Sequence, residues 1–212
     1  DSAPWYASRS SIKSIIIQSG ITSIGKLAFN KCDNLTNVTI GKDVTTIGQS
    51  AFVDCKSLSS IDVVTSNKSF KSSNGVVYSY DGKTLVFCPN GKSGAFSVSS
   101  SVESIGDNAF EGCSKITEID LGNGVKSIGK SAFYACVGLE KFVIGQSLSS
   151  IGEFAFAYCD ALSSFTMNVA GTHLKEEDGI IYSTDGKTLI CVPCGKSGAF
   201  TVKSGVEAVA NY

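Results

Sequence analysis

The sequence predicts an α/β repeat solenoid, mostly β, with a parallel sheet on a concave wall, short helical turns on the convex side and two β-hairpin insertions. Three observations carry this expectation. The phrase SIGKLAFNKC, beginning at Ser23, returns as TIGQSAFVDC, SIGDNAFEGC, SIGKSAFYAC and SIGEFAFAYC. Apolar pairs recur at Ile15/Ile17, Val38/Ile40, Ile61/Val63, Phe96/Val98, Ile119/Leu121, Phe142/Ile144, Phe165/Met167 and Phe200/Val202, stepping by 23 residues with two exceptions of 35. Two near-copies, NGVVYSYDGKTLVFCPNGKSGAF from Asn74 and DGIIYSTDGKTLICVPCGKSGAF from Asp178, occupy the longer steps 104 residues apart.

A period between 20 and 30 residues marks units too small to bury their own apolar face, which stack so that neighbours bury it for them. The chain therefore reads as one solenoid over residues 1–212, of about eight units, with long hairpin-bearing units near 64–98 and 168–202. Trp5 and Tyr6 are expected to shield the first coil. In the unit LTNVTIGKDVTTIGQSAFVDCKS, Val38 and Ile40 alternate with Asn37 and Thr39, the period of a half-buried strand. Val44 and Ile47 supply a second extended segment on the opposite wall. Ala51, Phe52 and Cys55 would share one face of a helical turn and close the core. The glycine before each turn implies either a positive φ or a neighbour too close for a Cβ. In the long units, Asp81-Gly82 and Asp185-Gly186 are hairpin signals. Stacked coils would superpose Phe29, Phe52, Phe110, Phe133 and Phe156 in a column.

Charge excludes some functions. With 18 basic and 19 acidic residues among 212 and no long run of either sign, nothing favours nucleic acid. The longest apolar runs, such as SIIIQ, fall far short of the roughly 18 residues that direct membrane insertion needs. Cys32, Cys55, Cys113, Cys136 and Cys159 share one rung position and read as free, buried, structural thiols. Cys191 and Cys194 form a CVPC whose redox, zinc and local-disulfide readings stay open, although the first long unit has FCPN there. His173 is the only histidine, so a His-based triad has a single candidate and a His-rich metal site has none. No catalytic residue, metal site or cofactor is assigned.

The outward strand positions are the candidate ligand contacts: Asn37, Thr39, Ser60, Asp62, Glu118, Asp120, Lys141, Ser164 and Thr166, with Tyr78, Tyr80 and Tyr182 as exposed aromatic anchors on the hairpins. Asp62, Glu118 and Asp120 also form a candidate acidic cluster, which keeps a carbohydrate-active enzyme as an alternative. Asn34, Asn37 and Asn67 fit the glycosylation acceptor pattern.

The consensus LxxIxI followed by VTxIGxxAFxxCxxL resembles the BspA-type leucine-rich repeats over nearly the whole chain. The resemblance implies a leucine-rich-repeat solenoid on a secreted or cell-surface protein of mucosal bacteria or parasites, often an adhesin. It implies a non-enzymatic module binding a host protein of the extracellular-matrix type or a glycan, and no catalytic motif to carry over. A structural spacer displaying another domain is the alternative. The stretch GVEAVANY from Gly205 matches SVESIGDN from Ser101 without a following AFxxC, so the natural chain is expected to continue past Tyr212, with self-association through an open C-terminal end.

Overall fold

The computed structural model describes residues 4–167 and 170–210. A 3-10 helix, Tyr6–Ser11, leads into the first coil, which supplies β1 (Ser14–Ile17) and β2 (Ser23–Ile24). The second coil supplies β3 (Asn37–Ile40) and β4 (Thr46–Ile47), and the third opens with β5 (Ser60–Val63). The first long unit then runs through β6 (Phe70–Ser73), β7 (Val76–Ser79) and β8 (Thr84–Phe87). Ordinary coils resume with β9 (Gly94–Ser97), β10 (Ser104–Ile105), β11 (Ile116–Asp120), β12 (Ser127–Ile128), β13 (Lys141–Ile144), β14 (Ser150–Ile151) and β15 (Phe165–Met167). The second long unit holds β16 (Leu174–Glu177), β17 (Ile180–Ser183) and β18 (Thr188–Cys191), and β19 (Ala208–Val209) follows. Residues 168–169, where that unit was expected to begin, and 211–212, where the expected continuation starts, lie outside the described residues.

This is a β-solenoid of about eight turns, built mostly of strand. One wall stacks the longer strands in parallel, as β1-β3-β5 and β9-β11-β13-β15. The opposite wall stacks two-residue strands in parallel, with Ser104 beside Ser127 and Ser127 beside Ser150. Register follows the sequence repeat, Val38 pairing with Ile61 and Phe142 with Phe165. A slip by one residue would turn each apolar pair outward.

The expected helical turns are absent. Among the described residues the only helix is the 3-10 segment before β1. The AFxxC corner is a run of tight turns, in which the fifth and ninth residues of the phrase take positive φ: Leu27 and Lys31, Ser50 and Asp54, Ser131 and Ala135. The physical reason lies in the hydrogen bonds. Alternate amides point along the solenoid axis to the next coil, Leu27, Phe29 and Lys31 donating to the carbonyls of Gln49, Ala51 and Val53 at 3.1, 2.8 and 2.9 Å. Ser131, Phe133 and Ala135 repeat this onto Glu153, Ala155 and Ala157. A helix would bond those amides within its own coil and leave the neighbour's carbonyls buried without donors. Of the two readings of the motif glycine, close approach holds at Gly48, where a Cβ would collide with the backbone of Gly25 and Lys26; its φ is not positive.

The phenylalanine column forms in two stacks, because the first long unit comes between Phe52, which meets Phe87, and Phe110. Phe29 stacks on Phe52 at 5.5 Å, Phe110 on Phe133 at 4.9 Å and Phe133 on Phe156 at 5.4 Å. Trp5 stacks on Phe29 at 5.3 Å and its indole N–H donates to the Ala28 carbonyl, so it continues the column at the first coil.

The long units do not project. Strands β6, β7 and β8 form an antiparallel set, and β8 also pairs in parallel with β10, which puts it in the short-strand wall. The start of β7 meets the other wall, Ile61 N–H donating to the Gly75 carbonyl at 2.9 Å. Strand β7 thus crosses the interior from wall to wall. Its faces are both buried: Val77 packs with the core of the first coils, Val76 and Tyr78 with that of the later ones. The second unit repeats this, with Phe165 N–H on the Gly179 carbonyl and Ile181 and Tyr182 in different clusters. Each long unit is a partition through the core, stabilised by apolar side chains on both faces where a projecting hairpin would leave one face in water.

Candidate functional site

The outer face of the long-strand wall carries the predicted contacts. Asn37 lies beside Ser60 and Thr39 beside Asp62 on β3 and β5; Glu118 lies beside Lys141 on β11 and β13. Lys141 Nζ pairs with Glu118 Oε1 at 2.7 Å. Thr166 donates to the Phe142 carbonyl at 3.3 Å, and Ser164 sits against Gly179, whose Cβ position is 2.7 Å from the serine Cβ. The face is not continuous. The Asn74-Gly75 turn of the first partition stands between β5 and β9, as the bond from Ile61 to Gly75 shows. Asp62 is therefore on one sheet and Glu118 and Asp120 on the other, and the three do not converge. Each has local partners: Asp62 accepts from Ser60 Oγ at 3.4 Å, Asp120 from the Gly122 amide at 2.9 Å, and Glu118 from Lys141. Glu118 and Asp120 stand two residues apart on one face of β11, and Asp62 does not join them.

A sequence model described as the BspA type leucine rich repeat region matches six copies along the chain, over residues 4–77 and 84–178. The chain belongs to this family. Among solved structures, it is similar to a leucine-rich repeat protein from Eubacterium ventriosum at 23% identity and a TM-score of 0.55, covering 97% of this chain and 74% of that one. It is also similar to the pneumococcal vaccine antigen PcpA at 18% identity and a TM-score of 0.57, covering 93% of this chain and 62% of that one. At such identities the likeness concerns the fold. The chain spans less than two thirds of the pneumococcal protein. No curated protein matches.

In this BspA-type chain two predicted aromatic anchors are withdrawn from the surface. Tyr182 is 1% exposed and Tyr78 is 8% exposed, because β7 and β17 run through the core. Tyr80, just past β7, is exposed and has Lys68 Nζ 5.5 Å from its ring centre. Asn67 is also buried: its amide donates to the Gly41 and Val44 carbonyls and its oxygen accepts from Ser69 and Phe70. Folded, it has no free nitrogen for a glycan. Asn34 donates to the Ser10 carbonyl, while Asn37 is exposed on the strand face.

All eight cysteines are free. The rung thiols have a role the repeat alone does not reveal: Cys55, Cys136 and Cys159 each donate to the carbonyl of the preceding coil's phenylalanine, at 3.1 Å. Cys194 joins the series from outside the motif, donating to the Phe156 carbonyl at 3.2 Å. Burial pushes the Cys55 and Cys191 thiols up to about 12, which keeps them protonated at neutral pH and slows their reaction. Among the described residues no group of three or more metal-ligating side chains could hold an ion. No helix among them is long and apolar enough to cross a membrane.

Proposed function

We propose that the chain is a recognition module of a cell-surface or secreted protein, binding a host protein or a glycan through the outer face of its long-strand wall. The observation that supports this is the division of labour along each strand. Inward residues such as Val38, Ile61, Ile119 and Phe142 are fully used in the core, whereas Asn37 and Asp62 stand outward on one parallel ladder and Glu118 and Lys141 on another. Stacked coils hold such side chains in position at little further entropic cost on binding. The repeat family and the fold of the pneumococcal antigen agree with a surface role.

The test is binding of the chain to immobilised matrix proteins and to a glycan array, compared with a variant carrying Glu118→Ala, Asp120→Ala and Lys141→Ala. Loss of a ligand in the variant, with unfolding unchanged, supports the face; identical profiles remove it. If the chain is instead a spacer, deletion of one 23-residue coil leaves binding intact.

A further inference from the structure

The discontinuity between β5 and β9 leaves a groove of about 450 Å³ on the strand face of the first long unit. That is within the range of small-ligand sites. Its aromatic lining is Tyr78 and the half-buried ring of Phe96, and its other lining includes Ser73, Ser97, Ser99 and Lys92. Lys92 Nζ is held by the Asn74 carbonyl at 2.6 Å, which fixes the ammonium at the rim with donors to spare. No carboxylate lines the groove. It therefore offers one cation, several short hydroxyls and an aromatic surface.

The duplication supplies an internal comparison. Positions 73, 74, 78 and 99 correspond to Glu177, Asp178, Tyr182 and Lys203 in the second long unit. There Lys203 Nζ bridges Glu177 at 2.8 Å and Asp178 at 3.0 Å, a clasp over the same place in the repeat. The tyrosine beneath is 1% exposed and its hydroxyl has no hydrogen-bond partner. In the first unit the clasp residues are Ser73, Asn74 and Ser99, all exposed and unable to form it. One copy of the element is bridged by ion pairs, which leave a smaller groove of about 260 Å³ lined by Glu177, Tyr182 and Lys203, and the other is unbridged and lined with hydroxyls.

Resting on the reading of the strand face as a recognition surface, we propose that the first groove is a subsite for a carboxylated sugar residue of a glycan. The carboxylate meets Lys92, the apolar face of the ring lies on the half-buried Phe96 with only the edge of the largely buried Tyr78 beneath it, and the sugar hydroxyls bond Ser97 and Ser99. A neutral sugar would forgo the charge-assisted bond to Lys92. An acidic peptide would supply the charge without a ring suited to the aromatic surface.

The experiment is calorimetric titration of the chain with an oligogalacturonate, a neutral oligosaccharide of the same length and an acidic hexapeptide, at low and high salt. Variants are Lys92→Met, which keeps the aliphatic stem, and Ser73→Glu with Ser99→Lys, which transplants the clasp. The expected result is uronate binding at least tenfold tighter than either other probe, weakened by salt, reduced about tenfold in Lys92→Met and lost in the clasp variant, with both variants unfolding as wild type. If a variant fails to fold, the decision rests on the wild-type ranking of the three probes. Absence of uronate binding, equal affinity for the neutral sugar, or preference for the peptide overturns the proposal. If uronate fails while an immobilised ligand still responds to the Glu118, Asp120 and Lys141 changes, the groove is excluded and the strand-face reading stands.

Discussion

Phe133→Ala should be among the most damaging single truncations in this chain. The ring is fully buried, stacked between Phe110 at 4.9 Å and Phe156 at 5.4 Å, with the edge of Phe142 at 4.9 Å. Truncating a buried phenylalanine costs about 3 to 5 kcal/mol, depending on how far the cavity collapses. Collapse is resisted here. Phe110 donates to the Ala132 carbonyl at 2.7 Å and Phe133 to the Ala155 carbonyl at 2.8 Å, so the coils on either side are held at strand spacing by their backbones. The expected loss is therefore near the top of that range, about 4 to 5 kcal/mol. With a urea slope of about 2.5 kcal/mol per molar, the denaturation midpoint should fall by about 1.5 to 2 M. Phe154→Ala is the internal control, since that ring is 50% exposed and its loss should cost less than about 1 kcal/mol. A Phe133→Ala loss below about 1.5 kcal/mol, or no larger than that of Phe154→Ala, would refute the column as a principal source of stability.

Three further outcomes are expected. Gly48→Ala should destabilise by about 1 to 3 kcal/mol in thermal unfolding because its Cβ would meet the backbone of the previous coil, whereas Gly25→Ala, with nothing within 4 Å, should be nearly neutral; similar effects would argue for a conformational role common to the motif. A thiol reagent should modify Cys194 quickly in the native protein and Cys191 slowly, leaving the six buried thiols until unfolding, which mass spectrometry of the labelled sites reads directly. Glu103, bridging Lys126 at 2.7 Å and Lys83 at 2.8 Å, has its carboxyl lowered to about 2 by those ammonium groups. A folded-state value below the unfolded one means that its contribution is present above about pH 4.5 and is lost as pH falls toward 2. The acid limb of the stability profile should flatten in Glu103→Gln, and added salt should shrink the difference, because both partners are exposed.

The repeat phrase made most of the architecture legible in the sequence. A 23-residue period with alternating Val38 and Ile40 admits few solutions other than stacked coils, and the register that superposes Phe110, Phe133 and Phe156 follows from it. The corner was misread because the spacing of Ala51, Phe52 and Cys55 is equally compatible with one helical turn. What separates the two is where the amides of Leu27, Phe29 and Lys31 go, and their partners belong to another coil. The candidate face was legible residue by residue but not as a surface. Asp62 and Asp120 are equivalent in the repeat, yet Asn74 and Gly75 come between their sheets.

Local pattern by itself determined the strands of seven of the eight apolar pairs and the inward side of each, because side-chain alternation and a fixed period are properties of the chain; Phe200 and Val202, the eighth pair, form no strand and stay exposed. Only the tertiary structure decided that the long units turn inward as partitions, burying Tyr78 and Tyr182, and that one leaves an open groove while the other is clasped by Lys203. The reason is that a strand with apolar residues on both faces, such as Val76, Val77 and Tyr78, states its need for burial without stating which neighbours will provide it.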